Sequence, residues 1–227
     1  QYNDWFGGVS QQFVGIQGPL GDGRWAVTGN ILGASNIDRT TENATGGFGG
    51  TSGQFSASDL AISANYSRLM SERFSVGIGA KYIRSKLDNV SAATGAVDIG
   101  VRYMVNDRLT LGGSVTNIGP GLKFLNTRSK LPTAGRIGAA YHWSRFLLAA
   151  DAVYTGSDDI SGGIGLEVRP VDMMALRVGY RSQGAVELEN GITAGLGLNV
   201  GQFQLDYGYA KYGPLGNTHR FSADFSF

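Results

Sequence analysis

The stretch that decides the fold is THRFSADFSF, Thr218 to Phe227, at the end of the sequence. Its apolar and polar residues alternate, with Phe221, Ala223, Phe225 and Phe227 on one side and Ser222, Asp224 and Ser226 on the other. A period of two residues is that of a β-strand with one apolar and one polar face. Taken alone, the stretch fits an edge strand of a soluble sandwich as well as a strand of a barrel in a membrane, so the rest of the chain must decide.

The composition favours a protein that is partly surrounded by lipid. Charged residues make up 16% of the 227 residues, whereas soluble domains average about 25%. The 36 glycines come with only 5 prolines and without a Gly-X-Y period, which excludes collagen-like and disordered chains. No run approaches the ~20 apolar residues that a membrane helix needs. A chain like this can therefore cross a membrane only as a closed barrel.

The residue types also exclude several functions. Cysteine is absent, which excludes thiolate catalysis, cysteine-bound zinc and disulfides. The formal charge of +1 comes without a basic tract, so nucleic acid is not expected as a partner. A hydrolase that uses His142 and Asp151 stays formally open, but no serine lies in a nucleophile-elbow motif. We expect a protein that is not an enzyme and that carries no cofactor and no metal.

The alternation of the last strand recurs along the whole chain. Turn residues separate the alternating segments, which is the pattern of a meander of hairpins. Thirteen strands are predicted, and no helix: Trp5 to Ile16, Trp25 to Ile31, Leu60 to Tyr66, Phe74 to Tyr82, Val97 to Tyr103, Leu109 to Asn117, Ile137 to Trp143, Phe146 to Ala152, Ile164 to Val168, Leu176 to Tyr180, Ile192 to Val200, Phe203 to Ala210 and Thr218 to Phe227.

The lengths of the connections decide between a sandwich and a membrane barrel. Short connections are Gly18 to Gly23, Ser71 to Arg73, Asn106 to Arg108, Ser144 to Arg145, Val171 to Met173 and Gly201 to Gln202. They alternate with longer ones, which are Ser35 to Gly53, Leu87 to Gly95, Gly119 to Thr133, Gly156 to Asp159, Ser182 to Gly191 and Lys211 to Asn217. Outer-membrane barrels show this asymmetry because short turns face the periplasm and long loops face outside. A Greek-key sandwich has no reason to keep it.

Aromatic residues support the same orientation. They lie on the apolar side of the strands and near the strand ends, where two lipid interfaces would select amphipathic rings. The candidates for lipid-interface residues are Trp25, Phe74, Tyr82, Tyr103, Tyr141, Trp143, Phe146, Tyr154, Tyr180, Phe203, Phe225 and Phe227. A chain that stops on Phe227 after an alternating strand also resembles the C-terminal signature of bacterial outer-membrane barrels.

The number of strands gives an expectation about the start of the chain. Bacterial single-chain barrels have an even number of strands, and the alternation places Gln1 at the outer end. We therefore predict an all-β, antiparallel, up-and-down transmembrane barrel in the bacterial outer membrane, with thirteen strands visible of fourteen. Residues 1–227 are expected to form this single domain, and the N-terminal strand and a preceding segment are expected to be missing from the sequence.

The strand faces opposite the apolar ones carry charges of both signs. The residues predicted to face the lumen are Lys81, Asp98, Arg102, Arg136, Asp151, Glu167, Arg169, Arg177, Arg181, Asp206 and Asp224. They could form a polar path, or they could form ion pairs that fill and stiffen the lumen. We favour the ion pairs because opposite charges on neighbouring strands stabilise pairing and a polar interior is usual for such barrels.

Several stretches resemble the PorV/PorQ family of FadL-like outer-membrane barrels. They are FSASDLAISANYSRLMSERFSVGIGAKYIRSKL (Phe55 to Leu87), NIGPGLKF (Asn117 to Phe124), LPTAGRIGAAY (Leu131 to Tyr141), LRVGYR (Leu176 to Arg181) and GITAGLGLNVGQFQLDYGYAKYGPLGNTHRFSADFSF (Gly191 to Phe227). Members of this family carry a signal peptide, a Gly/Asn/Pro-rich segment that enters the barrel and a first strand ahead of the point where this sequence starts.

The resemblance implies one of two functions. PorV-like proteins are non-enzymatic accessory or shuttle components of type IX protein secretion or of an outer-membrane assembly. FadL relatives instead pass hydrophobic compounds such as long-chain fatty acids. We favour the first because the C-terminal match is the most specific and because the charged inward faces do not predict an apolar pocket. The implied partners are outer-membrane lipid and, through the outer loops, other outer-membrane or secreted proteins.

The alternation of connection lengths makes a topology prediction. Single cysteines at Ser52, Lys123, Gln183 or Leu215 should react with an impermeant maleimide in intact cells, because these positions are expected to face outside. Cysteines at Ser71, Asn106, Ser144 or Gln202 should react only after the outer membrane is opened. Labelling of the second set in intact cells would invert the orientation.

Overall fold

Sixteen strands carry almost the whole fold. The computed structural model describes residues 1–156, 159–182, 191–212 and 216–226, apart from the side chains of Phe6 and Asp159. The strands are β1 (Tyr2–Asp4), β2 (Val9–Leu20), β3 (Gly23–Glu42), β4 (Phe48–Leu69), β5 (Phe74–Leu87), β6 (Val90–Met104), β7 (Leu109–Ile118), β8 (Leu122–Phe124), β9 (Thr127–Ser129), β10 (Ala134–Trp143), β11 (Phe146–Thr155), β12 (Asp159–Val171), β13 (Met174–Ser182), β14 (Gly191–Val200), β15 (Phe203–Lys211) and β16 (Asn217–Phe225). None of the helices in the described residues is long and apolar enough to cross a membrane.

Fourteen of these strands form one closed antiparallel sheet. They follow the order of the chain, β1 to β7 and then β10 to β16, and β16 pairs with β1. The two remaining strands, β8 and β9, pair only with each other. The antiparallel up-and-down barrel that the alternation predicts is thus confirmed, together with its fourteen strands.

The barrel is closed by β1, a strand of three residues. It pairs with β16 on one side and with β2 on the other. The side chain of Asn3, which is 4% exposed, ties the three strands together: it accepts a hydrogen bond from Arg220 Nε at 3.0 Å and donates one to Gln11 Oε1 at 2.8 Å. Strand β1 therefore occupies the fourteenth position, for which the sequence predicts a strand ahead of Gln1. The segment expected before Gln1 stays a prediction.

The two ends of the barrel differ as the connection lengths predict. At one end, which we call the turn end, the strands are joined by the short segments 21–22, 70–73, 105–108, 144–145, 172–173 and 201–202. At the other, the loop end, the connections include the long segment 119–133. Gln183 and Leu215, which were expected to face outside, lie beyond the described residues.

The longest excursion at the loop end is a β-hairpin rather than the expected loop from Ser35 to Gly53. Strand β3 continues to Glu42, and β4 starts at Phe48. Residues 35–56 pair only with each other or with the neighbouring turn. At ~3.3 Å per residue this arm rises about 25 Å above its last contact with β2. Its glycines indicated a loop because they interrupt the alternation. They are instead the sites of irregular pairing, and Gly50 and Gly53 have φ values of 119° and 117°.

Two other predicted loops are also more ordered than expected. The segment from Leu87 to Gly95 belongs mostly to β5 and β6, which pair up to Leu87 and Val90. The segment from Gly119 to Thr133 contains the hairpin of β8 and β9. Both were interpreted as loops because short alternating runs with polar residues give little signal.

The apolar side chains of the strands point away from the barrel. Among the described residues no large side chain is fully buried, and Ile137, Ile164 and Val178 are 69%, 52% and 60% exposed. Exposed apolar residues recur on every strand of the wall. Exposure of an apolar band of this extent to water is unfavourable. The band is stable against lipid, and a closed barrel with an outward apolar band is the architecture that spans bacterial outer membranes.

The facing of β12 can be tested with a neighbouring pair of residues. Ile164 points outward, whereas a side-chain carbon added at Gly165 would point inward and lie 3.7 Å from the Val178 carbonyl oxygen, an ordinary contact. We expect Ile164→Arg to lower the free energy of unfolding by about 2–4 kcal/mol, because the charge enters the bilayer. Gly165→Ser should have a small effect. Urea titration of the protein refolded in lipid vesicles measures both, and equal costs would show that the two faces are not distinguished.

Candidate functional site

The inward residues of β6 to β16 enclose a cavity of about 950 Å³. Seven of the eleven charged residues that the sequence predicts in the lumen line this cavity: Arg102, Arg136, Asp151, Glu167, Arg177, Arg181 and Asp206. Arg220, which the sequence analysis did not single out, lines it as well. The cavity is therefore the place to look for a function of the lumen.

The other four predicted residues lie outside the cavity lining. Lys81 and Asp98 form an ion pair on β5 and β6, with Nζ and Oδ2 2.8 Å apart. Arg169 donates from Nε to Glu167 Oε1 at 2.7 Å, on β12. Asp224 lies opposite Gln204 in the register of β15 and β16.

The strongest polar cluster of the lumen is centred on Arg177 of β13. Its Nε donates to Glu167 Oε2 at 2.7 Å, and its Nη1 donates to Asp206 Oδ1 at 2.5 Å. Gln204 Nε2 donates to the second oxygen of Asp206 at 2.7 Å. Glu167 is also the partner of Arg169, so two cations and two carboxylates neutralise one another. Charge-assisted hydrogen bonds of this kind are stronger than neutral ones, and the cluster supports the ion-pair interpretation of the inward charges.

Glycines on the intervening strand β14 make this cluster possible. Arg177 and Asp206 lie on β13 and β15, so the guanidinium must cross β14 to reach the carboxylate. A side-chain carbon at Gly197 would lie 2.6 Å from Asp206 Oδ1 and 3.1 Å from Arg177 Nη1. The arginine therefore lies flat over Gly197, a role that the sequence alone could not reveal.

The register of the strands arranges the cavity wall in rows. One row of directly paired residues carries the charges Arg102, Asp151 and Arg181, with glycine at the intervening positions 112, 138 and 163. A second row, four residues further along each strand, carries Glu167, Arg177 and Arg220. At ~3.3 Å per residue these two charged rows are about 13 Å apart along a strand.

Between the charged rows runs a row of small residues, which we call the small-residue row. Its members are paired in sequence from β7 to β16, and all of them line the cavity: Thr110, Ala140, Ala149, Gly165, Gly179, Thr193, Ala210 and Thr218. No side chain in this row is larger than threonine, and none carries a charge. The lumen thus offers space along an uncharged wall between two charged rows, one of which contains the hydrogen-bonded pair of Glu167 and Arg177.

Arg102 and Arg136 of the cavity lack the short charge-assisted hydrogen bonds of the Arg177 cluster. Arg136 and Asp151 approach to 3.5 Å between Nε and Oδ2, and both are substantially exposed. The side chain of Arg102 forms no ion pair or hydrogen bond with any described residue. These side chains can meet solvent or a solute in the lumen.

A second cavity, of about 830 Å³, lies beside the closing strand β1. Its lining is dominated by apolar residues of the outward faces, among them Val14, Ile62, Leu198, Leu205 and Phe221. Side chains of this kind also form the outward apolar band, so we assign this groove to contact with lipid.

Most of the aromatic residues predicted at lipid interfaces lie near strand ends, and several of them meet across strands. Trp143 and Phe146 stack with ring centroids 5.8 Å apart, and the rings of Phe203 and Phe225 are 4.9 Å apart. Next to the turn end lie Trp25, Phe74, Tyr103, Tyr141, Trp143, Phe146, Phe203 and Phe225, and toward the loop end lie Tyr82, Tyr154 and Tyr180. Phe227 lies beyond the described residues, and the position of these rings at lipid interfaces stays a prediction.

The arrangement of the histidines gives no support to a hydrolase. Asp151 approaches Arg136, and in the register it lies opposite Gly138 rather than His142. His219 Nδ1 lies 2.9 Å from the Tyr207 hydroxyl. Among the described residues no group of three acidic or histidine side chains could hold a metal ion.

Comparison with known proteins identifies the fold. No family model and no curated protein matches the sequence. The toluene transporter TodX of Pseudomonas putida matches with a TM-score of 0.68 and 12% identity, over 98% of this chain and 84% of that chain. The toluene transporter TbuX of Ralstonia pickettii matches with a TM-score of 0.68 and 12% identity, over 96% and 81% of the two chains. A FadL homologue of Pseudomonas aeruginosa matches with a TM-score of 0.58 and 13% identity, over 95% and 75%.

The chain therefore has the barrel fold of FadL-type channels. At identities of 12–13% the likeness concerns the fold alone. It supports the FadL-like part of the resemblance, and the PorV/PorQ part stays an interpretation of the sequence. Two of these structures are described as toluene transporters and the third as a FadL homologue.

The Arg177 cluster predicts a measurable contribution to stability. Arg177→Met leaves Glu167 and Asp206 close together without their shared cation. Because the three side chains are only 12–34% exposed, we expect a loss of about 1–3 kcal/mol in the free energy of unfolding, between the values for exposed and for buried pairs. Arg102→Met is the matched control and should change it by less than about 0.5 kcal/mol. Urea titration in lipid vesicles measures both, and equal effects would contradict a structural role of the cluster.

Proposed function

We propose that this protein is an outer-membrane channel of the FadL type that passes small hydrophobic compounds through its lumen. The observation that carries the proposal is the small-residue row, an uncharged strip along a cavity of about 950 Å³ inside a closed barrel. An apolar molecule can lie against this strip without displacing a paired charge.

The hydrogen bonds of the Arg177 cluster weaken the main objection to a hydrophobic cargo. The inward faces are rich in charge, which argued against an apolar pocket. Yet Glu167, Arg177 and Asp206 form hydrogen bonds with one another, so their polar atoms are satisfied without water in the cavity. Burial of a polar group costs little when its hydrogen bonds are made. A cargo that displaces water from the small-residue row therefore gains from the hydrophobic effect.

The fold likeness supports the same proposal. The structures with similar barrels are described as toluene transporters and as a FadL homologue. A shared fold does not by itself carry a shared function, so the cavity and not the likeness is the principal support. Together they favour a channel for hydrophobic compounds over the accessory role in type IX secretion.

The accessory role remains a second candidate because of the arm formed by residues 35–56. The arm extends beyond the wall and presents backbone edges that pair only along part of their length. Phe48 near its tip is 70% exposed. Such a projection suits contact with another outer-membrane or secreted protein. If this is the working surface, removal of residues 43–47 should abolish capture of exported proteins while the barrel stays folded.

The channel proposal makes a prediction for two neighbouring residues of β11. Ala149 belongs to the small-residue row, whereas Leu148 points outward and is 46% exposed. Ala149→Trp should reduce uptake of radiolabelled toluene by about tenfold or more, because a bulky ring fills space that a cargo must cross. Leu148→Trp should leave uptake unchanged.

The assay uses cells that lack their own FadL-type channels, with the amount of folded barrel measured by heat-modifiable gel mobility. A long-chain fatty acid is tested as a second cargo. Equal uptake by both variants, or no uptake above cells without the protein for either cargo, would overturn the proposal. Loss of exported partners without any effect on uptake would favour the accessory role.

A further inference from the structure

The segment between β7 and β10 folds back over the inner side of the wall. Ala92 and Ala96 of β6 are 7% and 6% exposed, and Leu131 of the segment is 8% exposed. The two alanines alternate in phase with Asp98, and Asp98 is in phase with Arg102, which lines the lumen cavity. Thr94, in the same phase, donates from Oγ1 to the carbonyl oxygen of Pro120 at 2.7 Å. The segment 118–132, which we call the fold-back hairpin, therefore covers the lumen face of β6 at the loop end.

The path of the fold-back hairpin requires particular residues where it leaves β7. Asn117 has φ of 59°, in the left-handed region. A side-chain carbon at Gly119 would overlap the carbonyl oxygen of Gly95, and one at Gly121 would overlap that of Ser129. The sequence Asn-Ile-Gly-Pro-Gly thus permits a close approach to β6 that residues with larger side chains would prevent.

A polar clamp holds both ends of the fold-back hairpin. Asp98 Oδ2 lies 2.8 Å from Lys81 Nζ, and Asp98 Oδ1 accepts the backbone N–H of Asn117 at 2.8 Å. Lys81 Nζ also donates to Asn117 Oδ1 at 2.8 Å. The side-chain nitrogen Nδ2 of Asn117 donates to the backbone carbonyl of Pro132 at 3.0 Å. Thr133 Oγ1 donates to the backbone carbonyl of Asn117 at 3.0 Å. Asn117 therefore joins the start of the hairpin, its end and the wall.

Apart from this clamp and the hydrogen bond from Thr94 to Pro120, the fold-back hairpin has few contacts that fix it. Leu131 is its one residue that is buried, while residues 125–130 are exposed and Leu125 is 78% exposed. Elements with little buried apolar surface open at low free-energy cost. The position of the hairpin consequently depends on the hydrogen bonds of the clamp, two of which involve the carboxylate of Asp98.

From these contacts we infer that the fold-back hairpin is a gate at the loop end of the lumen, held closed by the Lys81–Asp98–Asn117 clamp. Release of the clamp frees both ends of the hairpin together, uncovers Ala92 and Ala96 and widens the mouth. The inference rests on the proposed channel function for its purpose, but the movement itself is tested independently of any cargo.

The first test uses the absence of cysteine from the chain. A cysteine introduced as Ala96→Cys in the full-length protein is shielded by the closed hairpin and should react slowly with an impermeant maleimide in intact cells. Addition of Asp98→Asn should raise the rate about tenfold or more, because charge-assisted hydrogen bonds are lost. Asn117→Gly, which tolerates the left-handed backbone but lacks the side-chain amide, should do the same.

The matched control is Asp22→Asn in the same Ala96→Cys background. It neutralises a carboxylate that also forms an ion pair, with Arg68, but at the turn end and outside the cavity lining, and it should leave the labelling rate unchanged. Heat-modifiable gel mobility confirms that each variant is folded. The clamp is refuted if the rate is the same with and without Asp98→Asn, or if Ala96→Cys reacts as fast as the exposed Lys123→Cys.

The second test measures conductance of the full-length protein in planar bilayers. Asp98→Asn should increase it severalfold, and Asp22→Asn should not. Faster labelling without higher conductance would show that the hairpin moves but does not gate the lumen, and would overturn the inference. If labelling and conductance both rise while no variant takes up toluene or fatty acid, the gate stands and the proposed cargo is wrong.

Discussion

The structure depends on one constraint, which is that every backbone N–H and C=O in a hydrocarbon layer must find a partner within the protein. A sheet satisfies it where its edges are paired, and here β1 joins the two ends of the sheet by pairing residues 2–4 with both β16 and β2. Closure then sorts the side chains, because successive residues point to opposite sides of the wall. The apolar residues meet lipid, and everything else must fit inside.

The charged side chains fit inside the barrel because glycines lie beside them on the neighbouring strands. Each long charged side chain needs space on the neighbouring strand, and Gly138 and Gly163 provide it on both sides of Asp151. The same arrangement lets Arg177 reach across a whole strand to Asp206. The charges of the Arg177 cluster pair along the wall, and the cavity beside them is bordered by small residues.

Much of this fold could be predicted from the sequence, because a period of two and a regular alternation of turn lengths survive without any tertiary information. The positions of the thirteen long strands and the inward placement of Glu167 and Arg177 follow from that pattern. Other features depend on contacts between distant residues and leave no periodic signal. Strand β1 is too short to alternate visibly, the arm is interrupted by bulges, and the role of Asn117 becomes visible only when Lys81 and Asp98 lie beside it. The hydrogen bonds among Glu167, Arg177 and Asp206 are equally invisible in a list of inward residues.

The order of the strands has a consequence for how the protein reaches this state. All pairings but one join strands that are adjacent along the chain or separated by one small hairpin, so the wall can grow hairpin by hairpin. The exception joins Tyr2 to Phe221, across nearly the whole sequence. Bringing such distant residues together has a high entropic cost and slows folding. Until that pairing forms, the incomplete sheet presents two free edges, where another chain can add and start aggregation. The final closure is thus the kinetic bottleneck, and the interval before it is when the nascent barrel most needs protection.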